Sequence, residues 1–125
     1  MKIRSMTTLM LVLTLAACSG CAKKADPNKP VDQIKKDVET MSVAELQSTA
    51  AAYAKEIKVQ KTELSKIAEE LKGVPVKDVF SDKAKSIKNR LGEVQTKASA
   101  LMERYQLYFN KLQEKGADIS KVRLD

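Results

Sequence analysis

Histidine and tryptophan are absent from this chain, and cysteine occurs only twice. Without an imidazole, no histidine can act as a general base or as a metal ligand. The four glycines form no glycine-rich phosphate loop, and no serine lies in a nucleophile elbow. Glu69 and Glu70 are adjacent carboxylates, but neighbouring residues of a helix point apart. We therefore expect a protein that is not an enzyme and that has no cofactor and no metal site.

The first residues follow the pattern of a secretory signal. Lys2 and Arg4 give a positive start, and an uncharged, mostly apolar run of about a dozen residues follows as far as Ala17. That run is well short of the roughly 20 residues that are needed to span a bilayer. The small pair Ala16-Ala17 suits a peptidase that admits only small side chains near its cut, and Cys18 comes directly after it.

The stretch Leu15-Ala16-Ala17-Cys18 resembles the lipobox of bacterial lipoproteins. This resemblance implies that residues 1–17 are removed and that Cys18 carries a thioether-linked diacylglycerol and an acylated amine. More than one acyl chain is needed for stable anchoring, since a single chain holds only marginally. In the Gram-negative form of the family an aspartate after the cysteine favours inner-membrane retention, so Ser19 favours the outer membrane, facing the periplasm. The alternative is a plain secretory signal in which Cys18 is incidental.

The resemblance covers residues 1–18 only. The small murein-linked lipoproteins also join a lipobox to a helical heptad domain, and they attach to peptidoglycan through a C-terminal lysine. This chain ends in Lys121-Val122-Arg123-Leu124-Asp125 without that lysine, so we do not expect it to share their attachment function. If Cys18 is lipidated, Cys21 is either a spare thiol near the membrane or a link between two chains.

Basic residues outnumber acidic ones, with 23 lysines and arginines against 16 aspartates and glutamates. Without Lys2 and Arg4 the balance of residues 18–125 is 21 − 16 = +5, which is less basic than a dedicated nucleic-acid binder. Export also argues against a nucleic-acid partner. The partners that we expect are the membrane, through Cys18, and either a second copy of the chain or another envelope protein.

The remainder of the chain divides into a tether, a helical domain and a tail. Residues 18–30 are small, charged or proline and have no apolar period, which predicts a flexible tether. Residues 31–116 form the predicted domain. Helical spacing of its apolar residues predicts helices over about 31–40, 43–72 and 82–115. We expect residues 117–125 to be a frayed tail, with Ile119 or Val122 as the residues that would rest on the domain.

Helix-terminating residues separate these segments. Ser42 and Glu45 have the spacing of a capping box at the start of the second helix. Gly73 and Pro75 supply its end, and Gly116 supplies the end of the third helix.

The two long predicted helices carry apolar stripes that step by three and four residues without a slip. The second helix contributes Val43, Leu46, Ala50, Tyr53, Ile57, Gln60, Leu64, Ile67 and Leu71. The third contributes Ala84, Ile87, Leu91, Val94, Ala98, Leu101, Tyr105, Tyr108 and Leu112. If the two helices pack antiparallel about the short loop, residues that face each other have numbers that add up to about 155. Each residue of one stripe then faces a residue of the other stripe and forms one layer with it. The sequence therefore predicts an all-α fold, a long antiparallel helical hairpin of the coiled-coil type.

Apolar residues outside the stripes predict how the base of the hairpin is completed. Met102 and Phe109 form a second strip on the third helix. We expect the short first helix to pack at the base and to cover Met102, Tyr105 and Phe109. The tyrosines lie at coiled-coil spacing, which favours a place in the core over a ligand site.

The loop between the long helices combines apolar and basic residues. Its apolar residues are Val74, Val76, Val79 and Phe80. The basic residues that form a candidate anion-binding tip are Lys77, Lys83, Lys85, Lys88 and Arg90. The alternative is an ordinary solvated, lysine-rich surface.

Two functions are compatible with these features. The first is a lipid-anchored envelope lipoprotein with a non-enzymatic structural or adaptor role through its helical hairpin. The second is a binding module whose basic distal tip holds an anionic envelope component or an acidic partner protein.

Overall fold

The computed structural model describes residues 24–125, which contain three α-helices. They are α1 (Val31–Thr40), α2 (Val43–Lys72) and α3 (Asp82–Glu114), and a 3-10 turn, Val76–Asp78, lies in the loop between α2 and α3. Helices α2 and α3 pack against each other, so the predicted all-α helical hairpin is confirmed. The predicted signal peptide and both cysteines lie outside the described residues.

Side-chain caps fix where the two long helices begin. The Ser42 hydroxyl accepts the Glu45 N–H at 3.2 Å, and the Glu45 carboxylate accepts the Ser42 N–H at 2.9 Å, so the predicted capping box is present. The Ser81 hydroxyl accepts the Ala84 N–H at 3.2 Å at the start of α3. A cap of this kind contributes about 1 kcal/mol of helix stability.

The seam between α2 and α3 forms the main core towards the base of the hairpin. Leu46, Ile57 and Leu101 are at most 1% exposed. The rings of Tyr53 and Tyr108 meet across the seam with their centroids 5.4 Å apart. Each of these large apolar side chains stabilises the fold by about 1.5–3 kcal/mol through its burial.

The seam becomes thinner towards the distal end. Ile67 and Ile87 are buried there, but Leu64 and Leu91 are only half-buried. The distal part consists of two helices alone, and a pair of helices covers only one stripe of each partner. The distal half therefore has less buried apolar surface than the base.

One predicted layer, Val43 with Leu112, does not form as a closed pair. Leu112 is fully buried, whereas Val43 is 38% exposed. A helical side chain points back over the preceding turn, and Val43 is the first residue of α2 and has no such turn beneath it.

Helix α1 packs on a different side of α3 from the one that the sequence predicts. Its buried residues are Ile34 and Val38. Arg104 of α3 donates its Nε–H to the carbonyl oxygen of Lys29 at 2.7 Å, just before α1, and the Lys111 ammonium lies 2.8 Å from the Glu39 carboxylate. Helix α1 thus lies along the flank of α3 formed by residues 104, 108 and 111. That flank is about a third of a turn from residues 102, 105 and 109, which α1 was expected to cover.

The C-terminal segment covers the strip that was assigned to α1. Ile119 and Val122 rest on the domain as expected, but the segment is packed and not frayed. Val122 is 1% exposed, and its carbonyl oxygen accepts the Tyr105 hydroxyl at 2.6 Å. Met102 and Phe109 line one cleft together with Leu124. The tail packs because its apolar residues find an uncovered apolar strip on α3, which compensates for the ordering of the backbone.

Gly116 turns the chain so that the tail runs back along the hairpin. Its φ is 64°, a left-handed conformation in which glycine has no steric penalty. The Ala117 N–H donates to the Leu112 carbonyl at 3.0 Å, and the Gly116 N–H donates to the Gln113 carbonyl at 3.0 Å. These two bonds form a Schellman motif at the end of α3.

The described part of the predicted tether, residues 24–30, is also packed, so a flexible tether as far as residue 30 is wrong. The Asp26 N–H donates to the Tyr53 hydroxyl at 3.3 Å, and this hydroxyl donates to the Asp26 carbonyl at 3.0 Å. Ala25 packs against the core, and Lys24 lies beside Met41 in a cleft at the base. Two hydrogen bonds to one tyrosine hold the backbone in place. Such bonds produce no apolar period, so the sequence pattern does not indicate them.

Candidate functional site at the distal tip

The distal tip comprises residues 73–88, which join the two long helices and begin α3. Its backbone is held by internal hydrogen bonds. The Val74 N–H donates to the Leu71 carbonyl at 3.1 Å, and the Asp78 N–H donates to the Pro75 carbonyl at 2.8 Å. The Ser81 N–H then donates to the Asp78 carbonyl at 2.9 Å. The tip is therefore a structured turn that holds its side chains in defined positions.

Three of the predicted basic residues are exposed and form no ion pair within residues 24–125. They are Lys77, Lys83 and Lys88. Lys85 differs because its ammonium lies 3.8 Å from the Asp82 carboxylate, a loose pair one helical turn apart. Asp78 and Asp82 are the acidic residues of the tip, so positive charge is in excess there.

Arg90 does not share the environment of these lysines. Its guanidinium donates to Glu70 at 3.0 Å and to Glu63 at 3.2 Å, both on α2. The structure therefore places Arg90 in a bridge between the helices, where each terminal guanidinium nitrogen donates to a glutamate. The three lysines without ion pairs in the described chain remain as the available cations of the tip.

The Arg90 bridge belongs to a row of charges that follows one flank of the hairpin. Lys97, seven residues after Arg90, pairs with Glu56 at 3.2 Å, and Glu56 precedes Glu63 by seven residues. All these side chains are a third to a half exposed, so each pair contributes about 0–1 kcal/mol. Opposite charges at seven-residue spacing on two helices are the sequence signal that would have predicted this row.

Two large apolar side chains stand out from the tip into solvent. Val76 is 90% exposed and Phe80 is 86% exposed, the highest values among the exposed large hydrophobic residues of the described chain. Val76 begins the 3-10 turn that follows Pro75, and Phe80 lies two residues after the end of that turn. The sequence revealed the apolar character of this loop, but not that these two side chains would remain uncovered.

The tyrosines at the base serve the core instead of a ligand. The rings of Tyr105 and Phe109 lie 5.5 Å apart, and the hydroxyls of Tyr53 and Tyr105 bond to backbone groups. Burial raises the pKa of Tyr105 and of Tyr108 above the usual tyrosine value. A phenol that resists ionisation and packs against other rings is typical of a core residue.

Gln60 is the polar residue of the seam, and it is 7% exposed. Its amide donates to the Glu56 carboxylate at 2.8 Å, so the side chain is satisfied within its own helix. It does not point to a recognition site.

Within the part of the chain that the structure describes, no three histidine, cysteine, aspartate or glutamate residues are grouped as a metal site would require. None of the helices in residues 24–125 combines the length and the apolar character of a membrane span. Comparisons with protein-family models, with curated proteins and with solved structures gave no match for this chain.

Proposed function

We propose that this protein is a lipid-anchored lipoprotein of the bacterial envelope with a non-enzymatic structural or adaptor role. In this proposal Cys18 carries the lipid, the outer membrane holds the anchor, and the hairpin extends into the periplasm. The observation that carries the proposal is the stretch Leu15-Ala16-Ala17-Cys18 at the end of a charged and then apolar leader.

The packing of the N-terminal segment supports a close association of the anchor with the base of the hairpin. Tyr53 holds Asp26, and Lys24 lies in the cleft at the base. Only five residues lie between Cys18, the proposed lipid site, and Lys24 of the folded domain. The six Cα–Cα steps from Cys18 to Lys24 span at most about 20 Å. The base is thus the part of the domain nearest to the anchoring membrane, and the distal tip is farther along a hairpin of about 45 Å.

The way in which the aromatic residues are used supports a structural role. Tyr53, Tyr105 and Tyr108 pack in the core, and the first two hold the two ends of the described chain to the hairpin. The accessible surface consists mainly of charged helix flanks and the distal tip. A long, thin, charged hairpin on a lipid anchor suits contact with another envelope protein or with a second copy of itself.

A second candidate function is a binding module whose tip holds an anionic envelope component or an acidic partner protein. The observation that favours it is that Lys77, Lys83 and Lys88 have no ion pair among the described residues. Attraction by such a cluster is long-ranged at low salt and is screened at high salt.

Photo-crosslinking in the native cell tests the adaptor role. A photoreactive amino acid is placed at Val59 or at Ser99, which are exposed on α2 and α3, and at Phe80 of the tip. We expect discrete adducts with one envelope protein or with the chain itself. The Ile57→Asp variant is the control, because a charge in the seam unfolds the hairpin and removes the adducts. Recovery of no adduct at any of the three positions would reject the adaptor role.

A further inference from the structure

We infer that the distal tip docks on an anionic phospholipid bilayer, with Val76 and Phe80 entering the headgroup–acyl boundary and Lys77, Lys83 and Lys88 contacting lipid phosphates. This inference rests on the basic tip of the second candidate function. It goes further because it names the ligand surface and assigns a role to the two exposed apolar residues.

The exposure of Val76 and Phe80 is the first argument. Most residues of their size in the hairpin are buried or half-buried, whereas these two are 90% and 86% exposed in the loop between α2 and α3. Burial of a phenylalanine and a valine is favourable wherever an apolar phase is available. At the end of a hairpin, a bilayer receives both side chains without any rearrangement of the helices.

The charges around these side chains provide the second argument. Lys77 lies between Val76 and Phe80 in the chain, and Lys83 and Lys88 follow on the first two turns of α3. Asp78 and Asp82 oppose them, and Asp82 is loosely paired with Lys85. Three cations without ion pairs beside an apolar turn match the negative surface of an anionic membrane, where each such residue strengthens binding about fivefold.

The backbone of the turn provides the third argument. Entry into a membrane is costly for a backbone N–H that has no partner. Pro75 has no N–H, and the N–H groups of Val74, Asp78, Val79 and Ser81 already donate to carbonyl oxygens of the loop or of the end of α2. These four N–H groups are thus satisfied before contact.

The shape of the tip favours a bilayer over a protein. A stable protein interface buries about 800 Å² on each partner, which needs some 20 residues. The tip offers two exposed apolar side chains at the end of two helices, which is a small surface. A bilayer can close around a small protrusion from all sides, so two apolar residues and a few lysines are sufficient for a reversible contact.

Fluorescence of a tryptophan placed at the tip tests this inference, because the chain has no tryptophan of its own. The Phe80→Trp variant of the full chain is purified from membranes, anchored in phosphatidylcholine vesicles, and mixed with a second set of vesicles of phosphatidylcholine, with or without an equal part of phosphatidylglycerol, which carries the brominated lipids. We expect a blue-shifted emission that brominated lipids quench in the phosphatidylglycerol vesicles, and a much weaker effect in phosphatidylcholine alone. Val59→Trp, on the middle of α2, is the matched control and should remain unquenched.

Charge variants separate the contribution of the lysines. Lys77→Gln, Lys83→Gln and Lys88→Gln together, in the Phe80→Trp background, should lower the docking constant about a hundredfold. The same three changes at Lys55, Lys58 and Lys61 are the matched control and should lower it much less. Equal losses in the two triple variants would overturn the role of the tip lysines.

The outcomes distinguish the inference from the proposed function. An introduced tryptophan that stays solvent-exposed on every vesicle rejects bilayer docking. If it instead responds to polyglutamate, the tip binds an acidic polypeptide, and the second candidate function survives without the membrane. The mass of the N-terminal peptide in the same preparation reports separately on the lipidation of Cys18. The proposal of a lipid anchor and the inference of bilayer docking can therefore be rejected independently of each other.

Discussion

The hydroxyl of Tyr105 donates to the carbonyl oxygen of Val122 at 2.6 Å, in a buried position. Tyr53 forms the corresponding contact with Asp26, with its hydroxyl 3.0 Å from the carbonyl oxygen. Two tyrosines of the hairpin thus hold the two ends of the described chain against opposite flanks of the seam. The base of the hairpin is completed by α1 and by these two packed segments.

Tyr105→Phe should lower the free energy of unfolding by about 1–3 kcal/mol, because it leaves the buried Val122 carbonyl without its donor. Denaturant unfolding measures this loss. Hydrogen exchange should accelerate at residues 119–124 and remain unchanged at residues 25–28. Tyr53→Phe is the matched variant, and it should show the reverse pattern. The same exchange pattern in both variants would contradict separate roles for the two hydroxyls.

Arg90→Met should lower stability by about 0.5–1 kcal/mol, because it breaks the bridge to Glu63 and Glu70. A double-mutant cycle with Glu63→Gln should give a coupling energy that shrinks as salt is added. Lys88→Met is the control, since Lys88 has no ion pair in the described chain, and its effect should stay within about 0.5 kcal/mol. A coupling energy of zero at low salt would show that the bridge is not maintained in solution.

Gly92→Ala should raise stability by about 1 kcal/mol. Gly92 lies inside α3, is exposed, and has open space where a Cβ would be placed. Gly116→Ala is the opposing control and should lower stability by about 1–2 kcal/mol, because φ at Gly116 is 64°. Thermal or denaturant unfolding compares the two variants. Stabilisation by both substitutions would mean that the turn after α3 is not formed.

Stability should fall as the pH rises above about 10. Burial raises the pKa of Tyr105 and of Tyr108, and the hydrogen bond to Asp37 raises the pKa of Lys29. A group whose pKa is higher in the folded chain keeps its proton longer there than in the unfolded chain. The stabilisation is therefore complete below the unfolded pKa values and is lost as the pH rises through the folded ones.

The free energy of unfolding, measured across this alkaline range, checks the prediction. The double variant Tyr105→Phe/Tyr108→Phe removes two of these groups and should give a flatter dependence on pH. Stability that is constant from neutral pH to pH values well above 10 would contradict the burial of these phenols.

The hairpin could be predicted from the sequence because its cause is periodic. Leu46, Tyr53 and Ile57 recur at helical spacing, and the short loop forces antiparallel packing. The places of α1 and of the tail could not be predicted in this way. Both flanks of the seam offer apolar surface, and the choice between them depends on single contacts to backbone oxygens, such as those of Lys29 and Val122.

The same distinction applies to the candidate site. The positive charge of the tip follows from composition, and the exposed lysines were identified from the sequence. The different role of Arg90 depends on which acidic side chains of α2 come within reach across the seam. The exposure of Val76 and Phe80 depends on how the turn after Pro75 is folded. Neither the role of Arg90 nor the exposure of Val76 and Phe80 produces a repeat in the sequence, so a sequence pattern does not predict them.

The proposal that the domain is lipid-anchored is tested most directly by mass spectrometry of the N-terminal peptide of the protein purified from its native membrane. We predict that the mature chain begins at Cys18 and carries the mass of a diacylglycerol and of an additional acyl group. The Cys18→Ser variant should lack that mass and should retain residues 1–17. It should also be lost from the membrane fraction. A mature chain that begins at another residue with a free amine, or an unmodified Cys18, would contradict the proposal.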